Sequence, residues 1–317
     1  MHEGKTLRHV LVIGGACGDM LLGVPRMPLS GEDVEAKDNG LQIGGCAFNV
    51  ARALTRLGAP VLNGMPVGNG TWGNAVESAM KALHLPVLMR HPDMDNGWCL
   101  ALAEPGGERT FISITGCEAH ITAAMLQRLQ PTADMLIYVN GYELFGTGGA
   151  ALRAWVLAQP QQKLIDFGPR LPGIPPGFIT ALFGSRTLLT LNRDEARHLL
   201  GEGDIIALAQ HYAARSGLTL ICRLYKDGAW ICPPDAEPQA VAPYPVTVVD
   251  SIGAGDAHCS GLLAGLSAGW TLTQAVDLAN RVAACMVSVQ GSSQPPDWKT
   301  LDEYFPDAAP LPAFPTR

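Results

Sequence analysis

No C-x-x-C pair, no block of lysine or arginine, and no apolar run approaching the roughly 18 residues of a bilayer-spanning helix occurs in the sequence. Each absence removes a class of function. Without closely paired thiols, the 8 cysteines (at 17, 46, 99, 117, 222, 232, 259 and 285) suggest no zinc site, and several sit inside apolar segments, as the reduced thiols of a cytosolic protein do. A net charge of −7, with no basic block to set against it, disfavours nucleic acid and anionic membrane as partners. A small molecule fits better. The first residues lack the basic start, apolar stretch and small-residue cleavage site of a secretion signal, so the expected compartment is the cytoplasm.

Missing fingerprints narrow the chemistry further. Gly4-Lys5-Thr6 imitates the tail of a phosphate-binding P-loop, but it precedes the first strand and no glycine can stand five residues before Gly4. After Gly14, a dinucleotide fingerprint would need glycines where Ala16 and Asp19 stand, so a nicotinamide-dependent oxidoreductase loses its main support. No G-x-S-x-G elbow anchors a hydrolase, and no internal repeat is evident beyond a β-α rhythm.

What is present is ample for a sizeable core: 317 residues, 47% of them hydrophobic. His9 to Gly15, Met135 to Gly141, Lys163 to Gly168 and Thr187 to Asn192 are short apolar runs ending in glycine or polar residues. That is the pattern of buried parallel strands whose carboxyl ends deliver residues to a site. Helical runs are expected at Ala51 to Leu57, stopped by Gly58, at Thr71 to Leu83, and at Leu272 to Val289. The alternation predicts an α/β fold, a mostly parallel sheet sandwiched by helices, as one domain over residues 1–317. Met20 to Ile43 is rich in glycine and proline and offers no helix, while Trp98 to Ala103 and Arg109 to Ile114 are β-prone runs around the turn Glu104-Pro105-Gly106-Gly107-Glu108. Insertions of about 17–44 and 96–116 are thus expected to pair as one small sheet. Beyond Gly291 the proline-rich tail reads as a loosely held extension.

The most informative stretch runs from Val246 to Leu263: a buried strand, a glycine-rich turn, and a helix opening near Asp256. Gly253 and Gly255 lack a Cβ, so the amides of Gly253, Ala254 and Gly255 can converge on an anion, helped by the positive end of the helix. An acid at the mouth of an anion hole is repelled by its ligand. Asp256 is therefore better explained as a proton acceptor, with an ordinary helix cap as the competing reading. Gly44 and Gly45 let backbone approach a polyol, and Asn49 offers it a donor and an acceptor; a plain helix start is the alternative. Asn192 and Glu195 stand three apart at a strand-to-helix junction, on one face or in a capping box. Glu143 either faces the site or is an exposed loop acid. His258, two residues past Asp256, reads as a packing or surface residue.

Asp250-Ser251-Ile252-Gly253-Ala254-Gly255-Asp256 with its small-residue helix resembles the C-terminal signature of the ribokinase-like (PfkB) kinases, with Ser251 where Thr is usual. Gly44-Gly45 before Asn49 resembles the family's N-terminal signature, with Cys46 where ribokinases often carry Lys. The resemblance spans about Asp19 to Asn280. It implies that Asp256 is the base for the substrate hydroxyl and that the Gly253 to Gly255 turn holds the transferring phosphoryl group. It also places Asp19 on substrate hydroxyls, with Asp166 and Arg170 as further candidates from a strand-end Asp-x-Asn-x-Arg pattern in which Gly168 replaces the Asn. Asn192 and Glu195 match an Asn-x-x-Glu motif that positions Mg²⁺, largely through water, on the nucleotide phosphates. Tyr225-Lys226-Asp227-Gly228 resembles the Thr-Leu-Gly nucleotide loop; Gly228 fits, Arg223 and Tyr225 depart, and Arg223 or Lys226 could offer charge to phosphates instead. Asn280 matches an adenine contact, and Asp250 the residue beside which some relatives bind a monovalent cation such as K⁺.

The resemblance implies an ATP-dependent, Mg²⁺-assisted kinase acting on a hydroxyl of a sugar, expected to be a primary alcohol, under a β-sheet lid that excludes water. A nucleoside acceptor of the pseudouridine or adenosine type, or a fold that holds sugar or nucleotide without turnover, are the alternatives. A lid with apolar outer residues would favour a homodimer.

Overall fold

The computed structural model describes residues 6–106, 108–291 and 293–315. Gly4 and Lys5 of the P-loop look-alike and Gly107 of the hairpin turn lie outside them. Fourteen strands appear among the described residues: β1 Val10–Ile13, β2 Cys17–Gly23, β3 Lys37–Gly44, β4 Val61–Gly64, β5 Pro66–Val67, β6 Met89–Arg90, β7 Trp98–Ala103, β8 Arg109–Ile114, β9 Leu136–Asn140, β10 Gln162–Asp166, β11 Thr187–Asn192, β12 Thr219–Arg223, β13 Ala229–Cys232 and β14 Gln239–Val241.

Eight of them form the main sheet in the order β14-β13-β12-β11-β10-β9-β1-β4. Every pair from β12 to β4 is parallel, and β13 pairs antiparallel with both β12 and β14, as an added edge. Alternation along each strand sends side chains to two apolar layers. Val10, Val12, Leu136, Tyr138, Leu164, Leu188 and Ile221 enter one, and Leu11, Ile13, Ile137, Val139, Ile165, Leu189 and Leu220 enter the other. Both faces are covered by helices, so the interior strands read as continuous apolar runs. Their carboxyl ends then have one exit, the same edge of the sheet. In register, Asp166 stands beside Asn140 and Asn192 beside Arg223.

A separate four-stranded sheet, ordered β3-β2-β7-β8, joins the two segments expected to form the lid. Strands β2 and β3 are antiparallel, β2 and β7 parallel, β7 and β8 antiparallel. The hairpin closes with the Glu104 N–H donating to Glu108 O at 3.0 Å.

Two expectations fail. Val246 to Asp250 forms no buried strand: the sheet stops at β14, Pro243 and Pro245 interrupt any ladder, and Val248 and Val249 are exposed. This segment hangs instead on the end of the helix Leu272–Val287, where the N–H groups of Val249 and Asp250 both donate to Val287 O at 2.7 and 3.2 Å. The tail is not loose either. It forms the helix Trp298–Tyr304 and then returns Phe314 to the core, against Trp298 and Trp270 with ring centroids 4.9 and 5.9 Å apart. Prolines limit helix and strand, but they do not keep an aromatic ring out of an apolar socket.

Candidate active site

The helix Ala254–Ser267 starts from Gly253, whose φ of 77° is a left-handed conformation that glycine adopts without a Cβ clash. Its first ladder bond runs from the Ala257 N–H to Gly253 O at 2.8 Å. The N–H groups of Gly253 to Asp256 therefore lie ahead of the ladder, with Ala254 turned back on Ser251 O at 3.3 Å. Asp256 is the third helical residue and keeps partial access to solvent. Its Oδ2 accepts from Asn49 Nδ2 at 2.9 Å, and the Cys46 thiol also bonds to it. Burial lifts its carboxyl to about 7; the Asn49 hydrogen bond works against that rise and nearby Asp166 adds to it. A carboxylate set there exchanges a proton near neutrality.

Asn49 is held by the helix Cys46–Arg56, which begins after Gly45. A Cβ on Gly45 would come within 2.5 Å of Gly15 O, so glycine at 45 is needed for the helix start to approach the chain leaving β1 this closely. Arg52, one turn further on, donates to Asn49 Oδ1 at 2.9 Å and to Ile43 O at 2.9 Å. The chain Arg52, Asn49, Asp256 fixes which way the amide faces. Burial raises Asp19, on β2, to about 6, with Arg52 pulling the other way. Its carboxylate lies against the backbone of Gly44.

Glu143 is no exposed loop acid. It packs under the end of β1, where a Cβ on Gly15 would lie 2.7 Å from its Oε1, and burial first, then Glu118, lifts it to about 8. It is protonated at neutral pH and can donate a hydrogen bond. Arg170 stands exposed at the rim, over the rings of Tyr142 and Phe145 at 4.9 and 5.2 Å.

A second cluster lies at the ends of β10, β11 and β12. Arg223 Nη1 is 3.5 Å from Asp166 Oδ2 and Nη2 is 3.4 Å from Glu195 Oε2. Burial opposes its charge, but Asp166 and Glu195 outweigh burial and hold the guanidinium ionised. Its Nη1 would lie 2.6 Å from a Cβ on Gly255, which places a fixed positive charge against the glycine turn. Asn192 and Glu195 form a capping box: Asn192 Oδ1 accepts from the Asp194 and Glu195 N–H groups, and Glu195 accepts from Asn192 N and Nδ2, both at 2.8 Å. Burial and Asp166 raise the Glu195 carboxyl. With both oxygens engaged, this pair suits a hydrated Mg²⁺ met through water better than one stripped of its shell.

Other candidates stand apart. Lys226 and Tyr225 are exposed in the turn after β12, and Tyr225 keeps a left-handed φ of 56° where the resemblance expects glycine. Gly228 closes that turn with φ 77°. Asn280 is bonded on all sides: Nδ2 donates to Ala242 O at 2.9 Å and to Val241 O at 3.3 Å, and Oδ1 lies 3.1 Å from His258 Nε2. His258 is buried, lowered to about 3 by that burial and by Arg223, and therefore neutral. It is a packing residue. Asp250 is surrounded by N–H donors and the Arg109 guanidinium.

Sequence reasoning missed Arg52 and Arg109. The i to i+3 spacing from Asn49 could have pointed to the first; nothing local points to the second, whose partner lies 141 positions away by the numbering of the pair Arg109 and Asp250.

Known proteins carry the same plan. The profile described as pfkB family carbohydrate kinase matches residues 7–299. The uncharacterized sugar kinase YegV of Escherichia coli (strain K12) is 38% identical over 304 residues, covering 94% of both chains. The crystal structure of ribokinase from Thermotoga maritima superposes with a TM-score of 0.80 at 18% identity, covering 95% of this chain and 100% of that one. Phosphofructokinase-2 from Escherichia coli, in complex with potassium, gives 0.75 at 17% identity over 95% of this chain and 99% of that one.

Proposed function

The chain belongs to the pfkB family of carbohydrate kinases and is a sugar kinase, and on that premise we propose that it moves the γ-phosphoryl group of ATP to a primary alcohol of a small sugar. The observation that carries this reading is the Asn49-oriented carboxylate of Asp256 beside the donor-lined turn of Gly253 to Gly255.

In this reading the sugar lies between Asp19, the Gly44-Gly45 backbone, Asn49 and Glu143, with Arg170 at the rim. Asp256 takes the hydroxyl proton. The alkoxide oxygen bonds to the γ-phosphorus as the bond from phosphorus to the β-γ bridging oxygen breaks, and ADP leaves with that electron pair. The turn amides and Arg223 stabilise charge on the group in transit, and Lys226 and Gly228 lie along the approach of the nucleotide. Asn192 and Glu195 would hold Mg²⁺ through water, and the bound ion would offset phosphate charge. The lid keeps water from competing for the phosphoryl group.

The test is a panel of sugars and nucleosides assayed for ADP release, run with the wild type and with Asp256→Asn. A sugar should be turned over, and the variant should lose about 10²–10⁴-fold in kcat, the contribution of a positioned base, while still binding nucleotide. A variant within tenfold of the wild type would remove Asp256 from the reaction.

A further inference from the structure

The charge environment of Asp250 extends that phosphotransfer reading and rests on it. Asp250 opens the turn that carries Gly253 and Gly255. Its Oδ1 accepts from the Ile252 N–H at 3.0 Å, which shapes the turn. Its Oδ2 collects Gln290 Nε2 at 2.9 Å, the Gly291 N–H at 3.1 Å and Arg109 Nη1 at 3.4 Å. The ion pair is sheltered, with side chains 27% and 8% exposed for Arg109 and Asp250. Arg109 is the first residue of lid strand β8. Among the described residues, this ion pair joins a lid strand to the C-terminal third of the chain.

A metal cation bound at this carboxylate needs oxygen lone pairs around it. What converges on Oδ2 are the hydrogen-bearing ends of an amide side chain, a backbone N–H and a guanidinium, and each would repel a cation. The donor set does not fit K⁺, although a relative of the same fold was solved with potassium.

An unpaired carboxylate behind the turn would oppose the polyanion that the turn must receive. Arg109 cancels that charge from a position partly shielded from water, where one ion pair counts for more than it does on an open surface. We propose that Arg109 takes the place of a monovalent metal ion at Asp250, so that the phosphotransfer needs no such ion. Because the arginine rides on the lid, the compensating charge is in place when the lid is shut over the sugar. Arg109 is a positioning residue that acts through Asp250 on the turn.

The experiment compares wild type, Arg109→Ala and Arg109→Lys in potassium chloride and in tetramethylammonium chloride at equal ionic strength, by turnover and by thermal melting. Wild type and Arg109→Lys should give the same kcat in both salts. Arg109→Ala should fall by about tenfold in tetramethylammonium, the effect of one charge lost beside the transition state, and recover in potassium. Its melting temperature should rise in potassium relative to tetramethylammonium, and that of the wild type should not. A wild type stimulated severalfold by potassium overturns the proposal, as does an Arg109→Ala enzyme that keeps full turnover or ignores the cation. Melting needs no substrate. If no sugar or nucleoside were turned over, the kinase reading would fail while the melting comparison still judged Arg109.

Discussion

Asp256 and Glu143 are raised by the same cause, burial, yet the proposed reaction asks for opposite forms of them. Asp256 must be ionised to accept a proton, so its competent fraction is lost as pH falls through about 7. Glu143 must be protonated to donate to a sugar hydroxyl, so its competent fraction is lost as pH rises through about 8. The product of the two is a narrow bell in kcat/KM with its top between those values. Glu143→Gln keeps a donor and removes the titration. Its profile should retain the acid limb and level off on the alkaline side, and an alkaline limb unchanged in the variant would take Glu143 out of the pH dependence. Arg52 belongs to the same argument, since its contact with Asn49 makes the amide present Nδ2, and not Oδ1, to Asp256.

At the level of elements, the legible parts were those where local pattern and burial agree. Leu136 to Asn140 and Thr187 to Asn192 are apolar runs buried on both faces, and period and length identify them as strands without further help. The lid strands are also legible, because Trp98–Ala103 and Arg109–Ile114 flank a turn of proline and glycine. The segment Val246 to Asp250 is equally apolar and β-branched, but its fate depends on whether a neighbouring strand is available, and β14 ends the sheet before it. In the site, the glycine turn, Asn49 and Asp256 were legible from spacing. The engagement of Asn280 by the carbonyls of Val241 and Ala242 was not, since it depends on a loop nearly forty positions away. The tail shows the limit most clearly. Proline content argued for a loose end, whereas Phe314 fills a socket between Trp270 and Trp298, and Trp298 Nε1 donates to Leu57 O at 2.9 Å. Phe314→Ala should therefore lower the free energy of unfolding by about 3–5 kcal/mol, measured by urea denaturation. A loss below about 1 kcal/mol would mean that the tail contributes little to the core.

For the whole molecule, the small four-stranded sheet proposed as the lid is the part whose chemistry least suits water. Phe111, Ile112 and Ile114 on β8 and Leu41 on β3 are about half exposed, at 54%, 52%, 49% and 53%. They lie on the two edge strands of a sheet only four strands wide. Single exposed apolar residues need no explanation, but a run along an edge strand whose outer N–H and C=O groups have no sheet partner among the described residues invites pairing with another chain. A second copy of the same lid is the simplest cover, because a two-fold axis brings identical apolar strands together. Sedimentation at micromolar concentration should show a dimer, and Phe111→Asp, which sets a charge in the middle of that strand, should return it to monomer. If Arg109 compensates Asp250 as proposed, the geometry of this sheet also bears on catalysis: Arg109 begins the same strand as Phe111, so pairing that fixes β8 also fixes the guanidinium beside Asp250. The monomeric Phe111→Asp variant should then lose turnover in tetramethylammonium and recover it in potassium, as Arg109→Ala does, with Asp256 untouched and the acid limb of its pH profile unmoved. A wild type that sediments as a monomer would leave the apolar edge to another role, and the lid would have to hold Arg109 in place by its own rigidity.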